Sequence, residues 1–173
     1  MPTRAAHPHH VWSYDFVPDE TTDGRRLQCL TIIDEETREG LESSCARSIM
    51  AADVVQGLRR LFAQHGAPMY VKSANGPECI AQRVTTWLRE QHVDTHFIDP
   101  GSPGQNGHNE SFNGVFRDGC RNRWLFTSVQ EAKRIIGHWL EEYNHERPHG
   151  ALDGLTPRAF AAQCSDSSLG RAA

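Results

Sequence analysis

At 173 residues the chain is long enough for one domain with a real core and too short for two ordinary ones. Its 38% hydrophobic and 23% charged residues are those of a folded globular protein, and no apolar run approaches the roughly 20 residues that span a bilayer. A formal net charge of −4 excludes a wholesale coat for polyanions, although a local basic strip or a bound divalent cation is enough to engage one.

The first ten residues, MPTRAAHPHH, lack an apolar signal stretch, which predicts a cytoplasmic protein, and read as a flexible arm. His7, His9 and His10 have no partner at metal-ligand spacing and belong to that arm. Cys29, Cys45, Cys79, Cys120 and Cys164 are scattered, with no C-x-x-C, so reduced thiols are expected rather than disulfides or zinc. From Val11 to Val17, Trp12, Tyr14 and Phe16 alternate with Ser13, Asp15 and Val17, the period of a strand. Asp23-Gly24 signals a turn, Leu27 to Ile33 a second strand, and Leu41 to Ala46 a third, together an antiparallel meander. Ala51, Val54, Val55, Leu58, Leu61 and Phe62 share one helical face, closed by Gly66 and Pro68.

Met69 to Lys72 reads as a fourth strand, and the next helix buries Ile80, Val84, Trp87 and Leu88. Thr95 to Ile98 is a fifth strand. Pro100 to Gly107, rich in Gly, Pro, Ser and Asn, is expected to be a mobile loop before a helix from about His108 to Arg123. Ser128 and Glu131 predict a capping box for a last helix, striped by Ala132, Ile135, Ile136, Trp139 and Tyr143. Beyond Phe160 the chain is small and polar and reads as a frayed tail. The expected organisation is thus an arm at 1–10, one core at 11–160 and a tail at 161–173. Three antiparallel strands followed by α/β alternation predict an α/β fold, a mixed five-stranded sheet flanked by helices, and the ribonuclease H-like fold heads that short list.

Two carboxylates stand out. Asp15 interrupts a strand of large apolar neighbours, where burial costs several kcal/mol unless it is compensated; the alternative is a strand-edge aspartate on a solvated face. Glu110 opens a helix after a Gly-rich loop, which also suits a first-turn glutamate favoured by the helix dipole. Asp34 ends the second strand and reads as a turn carboxylate.

The surrounding strings add a family. Trp12 to Val17 (W-S-Y-D-F-V) resembles the first-aspartate strand of retroviral-integrase-like DDE transposases, and Pro100 to Gly114 (P-G-S-P-G-Q-N-G-H-N-E-S-F-N-G) resembles their glutamate-bearing helix with its loop. Tyr143 to His149 (Y-N-H-E-R-P-H) and Leu152 to Phe160 (L-D-G-L-T-P-R-A-F) are similar to the C-terminal signature of insertion-sequence transposases. The resemblance spans Val11 to Phe160. It implies that Asp15 and Glu110 are the first and third carboxylates of the DDE set and that Arg117 holds the DNA end, with a solvated surface arginine as the alternative; Arg121, as a basic residue suited to nonspecific phosphate contacts, and Asn106 are further candidate DNA-binding residues. Helical spacing places Glu110, Gly114 and Arg117 on one face.

The second carboxylate does not match. The family pattern S-D-N-G-x-E-F reads here Ser73-Ala74-Asn75-Gly76-Pro77-Glu78-Cys79, with 35 residues between Ala74 and Glu110, the spacing of this group. Alanine stands where aspartate belongs, by deliberate replacement or by decay of an old mobile element. Enzymes of this group use two Mg²⁺ or Mn²⁺ ions about 3.5–4 Å apart, held by carboxylates and substrate oxygens. Alanine offers no lone pair, Ser73 and Asn75 are neutral, and Lys72 would repel a cation if it points inward. Glu78 is a possible stand-in.

Two functions follow as expectations. One is a transposase core for DNA end cleavage and strand transfer, impaired at Ala74; the other is a non-catalytic DNA-binding or assembly module that pairs with an intact transposase. A ribonuclease H-like nuclease is a third reading, disfavoured by the C-terminal signature. Partners implied are DNA, both element ends and target, and further copies of the chain, with Trp124 and Trp139 as candidate contacts; no membrane is expected. Nothing before Val11 reads as a helix-turn-helix, so recognition of terminal repeats is expected to come from elsewhere.

Overall fold

Strand β1, Val11–Glu20, is covered on both faces. Trp12 and Tyr14 pack with Leu58, Val84 and Leu88, while Val17 packs with Leu27, Phe112, Phe116 and Ile136 on the opposite side. This double burial makes β1 the middle of a layered structure rather than a half-solvated strand. The computed structural model describes residues 4–73, 77–98 and 107–169.

β2 (Arg26–Asp34) and β3 (Gly40–Ala46) continue the antiparallel meander. After helix α1 (Ala51–His65), β4 (Tyr70–Ser73) lies parallel to β1; after α2 (Glu78–Glu90), β5 (Asp94–Phe97) lies parallel to β4. The sheet order is β3-β2-β1-β4-β5, the expected mixed five-stranded sheet. Helices α1 and α2 cover one face. Helices α3 (Gly107–Phe116) and α4 (Val129–His145) cover the other, and α5 (Pro157–Leu169) follows. Among the described residues no helix is long and apolar enough to cross a membrane.

Several elements differ from expectation for identifiable reasons. β1 runs past Pro18 because β4 pairs only as far as Tyr14, and a position beyond that limit needs no N–H. Helix α3 does not reach Arg123 as an α-helix, since Arg117–Arg121 form a π-helical turn. There Gly119 lies so close to the Trp139 indole that a Cβ would sit 2.5 Å from Nε1, and Cys120 is drawn fully into the core. Ser128 does cap α4, accepting from the Glu131 N–H at 3.1 Å. The Glu131 carboxylate, however, accepts from the N–H and hydroxyl of Thr127 instead of closing the box on Ser128.

Both ends are more structured than the expected arm and tail. The His9 N–H donates to Asp34 Oδ2 at 2.9 Å, and the His10 carbonyl accepts from Met69 and Tyr70, which binds this stretch to the strand ends. Residues 161–169 are helical: Thr156 caps the start of α5, Pro157 suits its first position, and the Ser165 and Ser167 hydroxyls bond carbonyls four residues back. Pro100 to Asn106 of the expected mobile loop lie outside the described residues, and Gly107 opens α3.

One contact fixes how α4 meets the sheet. Asn144 accepts from the Gly40 N–H at 2.9 Å and donates to its carbonyl at 2.8 Å, beside the irregularity between Ile32 and Ile33. Gly40 has no room for a side chain, because a Cβ would meet Leu140 at 2.5 Å and Phe112 at 2.9 Å.

Candidate active site

Asp15 pairs with Thr31 of β2 and shares its sheet face with Ser13 and Val17, the face that α3 and α4 cover. It is buried, with 6% of its surface exposed, which rules out the solvated strand-edge alternative. A carboxylate in such a place must have its oxygens satisfied. The Phe16 N–H donates to Oδ1 at 2.8 Å, and Asn113 Nδ2 donates to Oδ2 at 2.7 Å. Thr31 Oγ1 lies 3.3 Å from Asn113 Oδ1 and 3.4 Å from the Asp15 carbonyl, which orients the Asn113 amide nitrogen toward Asp15.

That hydrogen bond ties β1 to α3. The buried face of α3 carries Asn109, Phe112, Asn113 and Phe116, the i, i+3, i+4, i+7 stripe of an amphipathic helix. Glu110 is one helical turn before Asn113 and exposed on the flank, and residues at that separation have Cβ atoms about 5–6 Å apart. The side chain after it by one turn is therefore the one bonded to Asp15. Arg117 is exposed at the start of the π turn, and Arg121 ends that turn. Asn106 and Ala74 lie outside the described residues, as does Asn75. Ser73, the last described residue of β4, pairs with Tyr14, one position before Asp15.

Asn109, beside Glu110, is 1% exposed, and neither its amide oxygen nor its nitrogen has a hydrogen-bond partner among the described residues. Each such group costs about 1–3 kcal/mol.

Lys72 does point inward, but its charge is matched. Its Nζ lies 2.8 Å from Glu35 Oε2, both side chains are buried, and Ser13 Oγ donates to the other Glu35 oxygen. Removing either partner would strand a buried charge, at about 3–5 kcal/mol. Asp34 is a turn carboxylate as expected, accepting from the N–H groups of His9 and Glu36 and from the Thr37 hydroxyl. Glu78, the possible stand-in, is exposed in the first turn of α2 and accepts from Gln82.

Sequence reading missed Asn113, Thr31 and Glu35. The apolar stripe of α3 interrupted by two asparagines was a usable signal for Asn113. Glu35 and Lys72, 37 residues apart, gave none. Among the described residues no three His, Cys, Asp or Glu side chains lie close enough together to hold a metal. The carboxylates of Asp15 and Glu110 offer oxygen donors only, the kind that a hard divalent ion takes with waters and substrate oxygens.

Comparison with known proteins follows the same lines. Sequence profiles described as Integrase core domain match residues 5–103 and 91–157. An uncharacterized 31.7 kDa protein of insertion element IS407 from Burkholderia multivorans is 39% identical over 156 residues, 90% of this chain and 56% of that protein. An uncharacterized 39.2 kDa protein of insertion element IS476 from Xanthomonas euvesicatoria is 39% identical over 155 residues, 90% of this chain and 45% of that one. The chain spans about half the length of these curated relatives. In structure it is similar to the HTLV-2 integrase catalytic core domain solved with magnesium, with a TM-score of 0.71 at 16% identity over 91% of this chain and 99% of that one. That likeness concerns the fold, and it is the ribonuclease H-like fold that the strand order indicates. With one profile covering more than half of its length and relatives on two insertion elements, the chain belongs to the integrase core family.

Proposed function

We propose that this chain is a core for DNA end cleavage and strand transfer whose chemistry is impaired at Ala74. The observation that carries this reading is the buried Asp15, held by Asn113 on the helix that bears Glu110. A carboxylate kept in the centre of a sheet by a side chain of a different element is costly for stability alone and suits a fixed ligand. Asp15 and Glu110 would hold Mg²⁺ or Mn²⁺. When bound, such an ion supplies Lewis-acid activation of the attacking oxygen and stabilises the leaving one.

The chain's own residues do the rest. Asn113 and the Phe16 N–H fix the carboxylate plane of Asp15, so the ligand does not reorganise as substrate arrives. Glu110 approaches from the exposed flank of α3, where a DNA strand has access, and Arg117 on the same flank meets its phosphates; Arg121 and Asn106 are the further DNA-binding residues of this reading. Ala74 removes one of three anionic ligands, leaving two carboxylates to oppose up to four positive charges.

The test compares this protein with Ala74→Asp and Ala74→Asn on pre-nicked DNA ends, in Mg²⁺ or Mn²⁺, read on a gel. Ala74→Asp is expected to raise cleavage at least tenfold, which corresponds to about 1.4 kcal/mol at the transition state, while Ala74→Asn recovers little. Absence of a gain in a folded, DNA-binding Ala74→Asp protein overturns the enzyme reading. It leaves the second one, a non-catalytic module that pairs with an intact transposase, which Ala74 itself favours.

A further inference from the structure

The flank of α3 turned away from Glu110 walls a second site. His108 and Ser111 flank Glu110 in sequence, and at about 100° per residue His108 lies about 160° and Ser111 about 100° around the helix from it. They line a cavity of about 210 Å³ together with Arg38, Phe112, Tyr143 and His149. A water takes about 30 Å³ of liquid volume, so the space admits a phosphate group with a few waters.

Arg38 Nε and His149 Nε2 are both buried and have no hydrogen-bond partner among the described residues. Among the described residues no carboxylate lines the wall. Of the acids near Arg38, Glu35 is committed to Lys72 and Ser13 and Asp34 to His9 and Thr37, while Glu36 acts on the guanidinium from outside the cavity wall. Burial, then Arg147 and Arg38, hold the His149 imidazole below its usual range, and burial lowers the Arg38 guanidinium as well. The first turn of α3 adds the positive end of a helix dipole.

His149 is held in place with some care. Its N–H donates to the Leu155 carbonyl at 3.0 Å, and its carbonyl accepts from Gly154 at 2.9 Å, where Asp153 and Gly154 turn the chain at positive φ. The Tyr143 ring packs edge-on against it at 4.8 Å. The Y-N-H-E-R-P-H and L-D-G-L-T-P strings thus converge on one imidazole, a placement the carboxylate site does not need.

We propose that this cavity seats one phosphate-type oxyanion, and that in the DNA-bound protein the oxyanion is a backbone phosphodiester. The second half rests on the DNA-processing reading above. An arginine fork, an imidazole N–H and the hydroxyls of Ser111 and Tyr143 are the donor set such a group takes. A strand crossing α3 would then be gripped on one flank of the helix while Glu110 acts on the other.

Two measurements on the whole chain test this. In the first, inorganic phosphate is titrated against chloride at matched ionic strength, with the His149 imidazole followed by NMR. Phosphate is expected to shift His149 saturably, and Arg38→Asn to abolish the shift; asparagine tolerates the Arg38 backbone, whose φ is 62°. No difference between phosphate and chloride in the folded wild type overturns the seat. In the second, DNA affinity is measured across salt concentrations for wild type, Arg38→Asn and His149→Gln. Loss of one phosphate contact is expected to flatten the slope of log K against log salt by about 0.9. Unchanged slopes in both folded variants, with phosphate still shifting His149, overturn the assignment to DNA in favour of a free anion. A wild type that binds no DNA at all would instead defeat the DNA-processing reading, and the phosphate titration still decides the seat.

Discussion

On the proposed function, the Asp15–Asn113 hydrogen bond is the smallest unit on which activity depends. A hydrogen bond to a charged group contributes about 1.5–3 kcal/mol, and its loss here frees the carboxylate to rotate. In an Ala74→Asp background, Asn113→Ala is expected to lower metal-dependent cleavage by roughly 10- to 100-fold, the kinetic equivalent of that energy. A rate within twofold of the parent, in a protein with unaltered folding, would show that Asn113 does not position Asp15. The histidines offer a second test at this scale. His9 and His65 stack at 4.7 Å, and burial holds both imidazoles below their ordinary range. The folded state then prefers neutral rings, so unfolded chains take up protons first as pH falls below about 6.5. This contribution is fully present above that pH and is lost on acidification toward the lower folded values. The urea midpoint should therefore fall between about pH 7.5 and pH 5.5, and His65→Gln should shrink the fall. Glu39, raised by burial, works in the opposite sense, and an undiminished fall in His65→Gln would remove His65 as its cause.

Among the elements, the junction of β3 with α3 and α4 is the most demanding. Gly40 admits Leu140 and Phe112 at distances no Cβ allows, and Asn144 satisfies both of its backbone groups. Gly40→Ala overpacks this point and should destabilise by about 1–3 kcal/mol. Asn144→Ala leaves a buried N–H and C=O unpaired and should cost a similar amount, about 1–3 kcal/mol per group. Chemical denaturation of the two variants reads both effects, and a midpoint shift below about 0.5 kcal/mol in either would mean that α4 is held by its aromatic cluster alone. That cluster is substantial, since Trp139 lies within 5.0–5.6 Å of Phe112, Phe116 and Tyr143. Its burial also disposes of Trp139 as a self-association surface.

At the scale of the molecule, strand transfer joins two DNA ends and calls for more than one core, so the chain is expected to self-associate. Trp124 and Leu125 supply exposed apolar surface for it, at 54% and 83% exposure. Light scattering at high micromolar concentration should report a mass above one chain, and a strictly monomeric mass would end that expectation. How much of this was written in the sequence divides along physical lines. Apolar periodicity, with turn and cap signals, located five strands within a few residues and the starts of four helices, because alternation and helical stripes are local consequences of burial. The quoted strings gave Asp15, Glu110 and Ala74 because their spacing along the chain is set by those same elements. Tertiary structure decided what depends on residues far apart: that β1 is covered on both faces, that Lys72 is neutralised by Glu35, and that Asn113 holds Asp15 across 98 residues. It also decided that α3 relaxes into a π turn where Trp139 crowds Gly119, and that two C-terminal strings meet around His149. A one-dimensional pattern records which side chains avoid water; which of them then meet is fixed only when the sheet and helices close on one another.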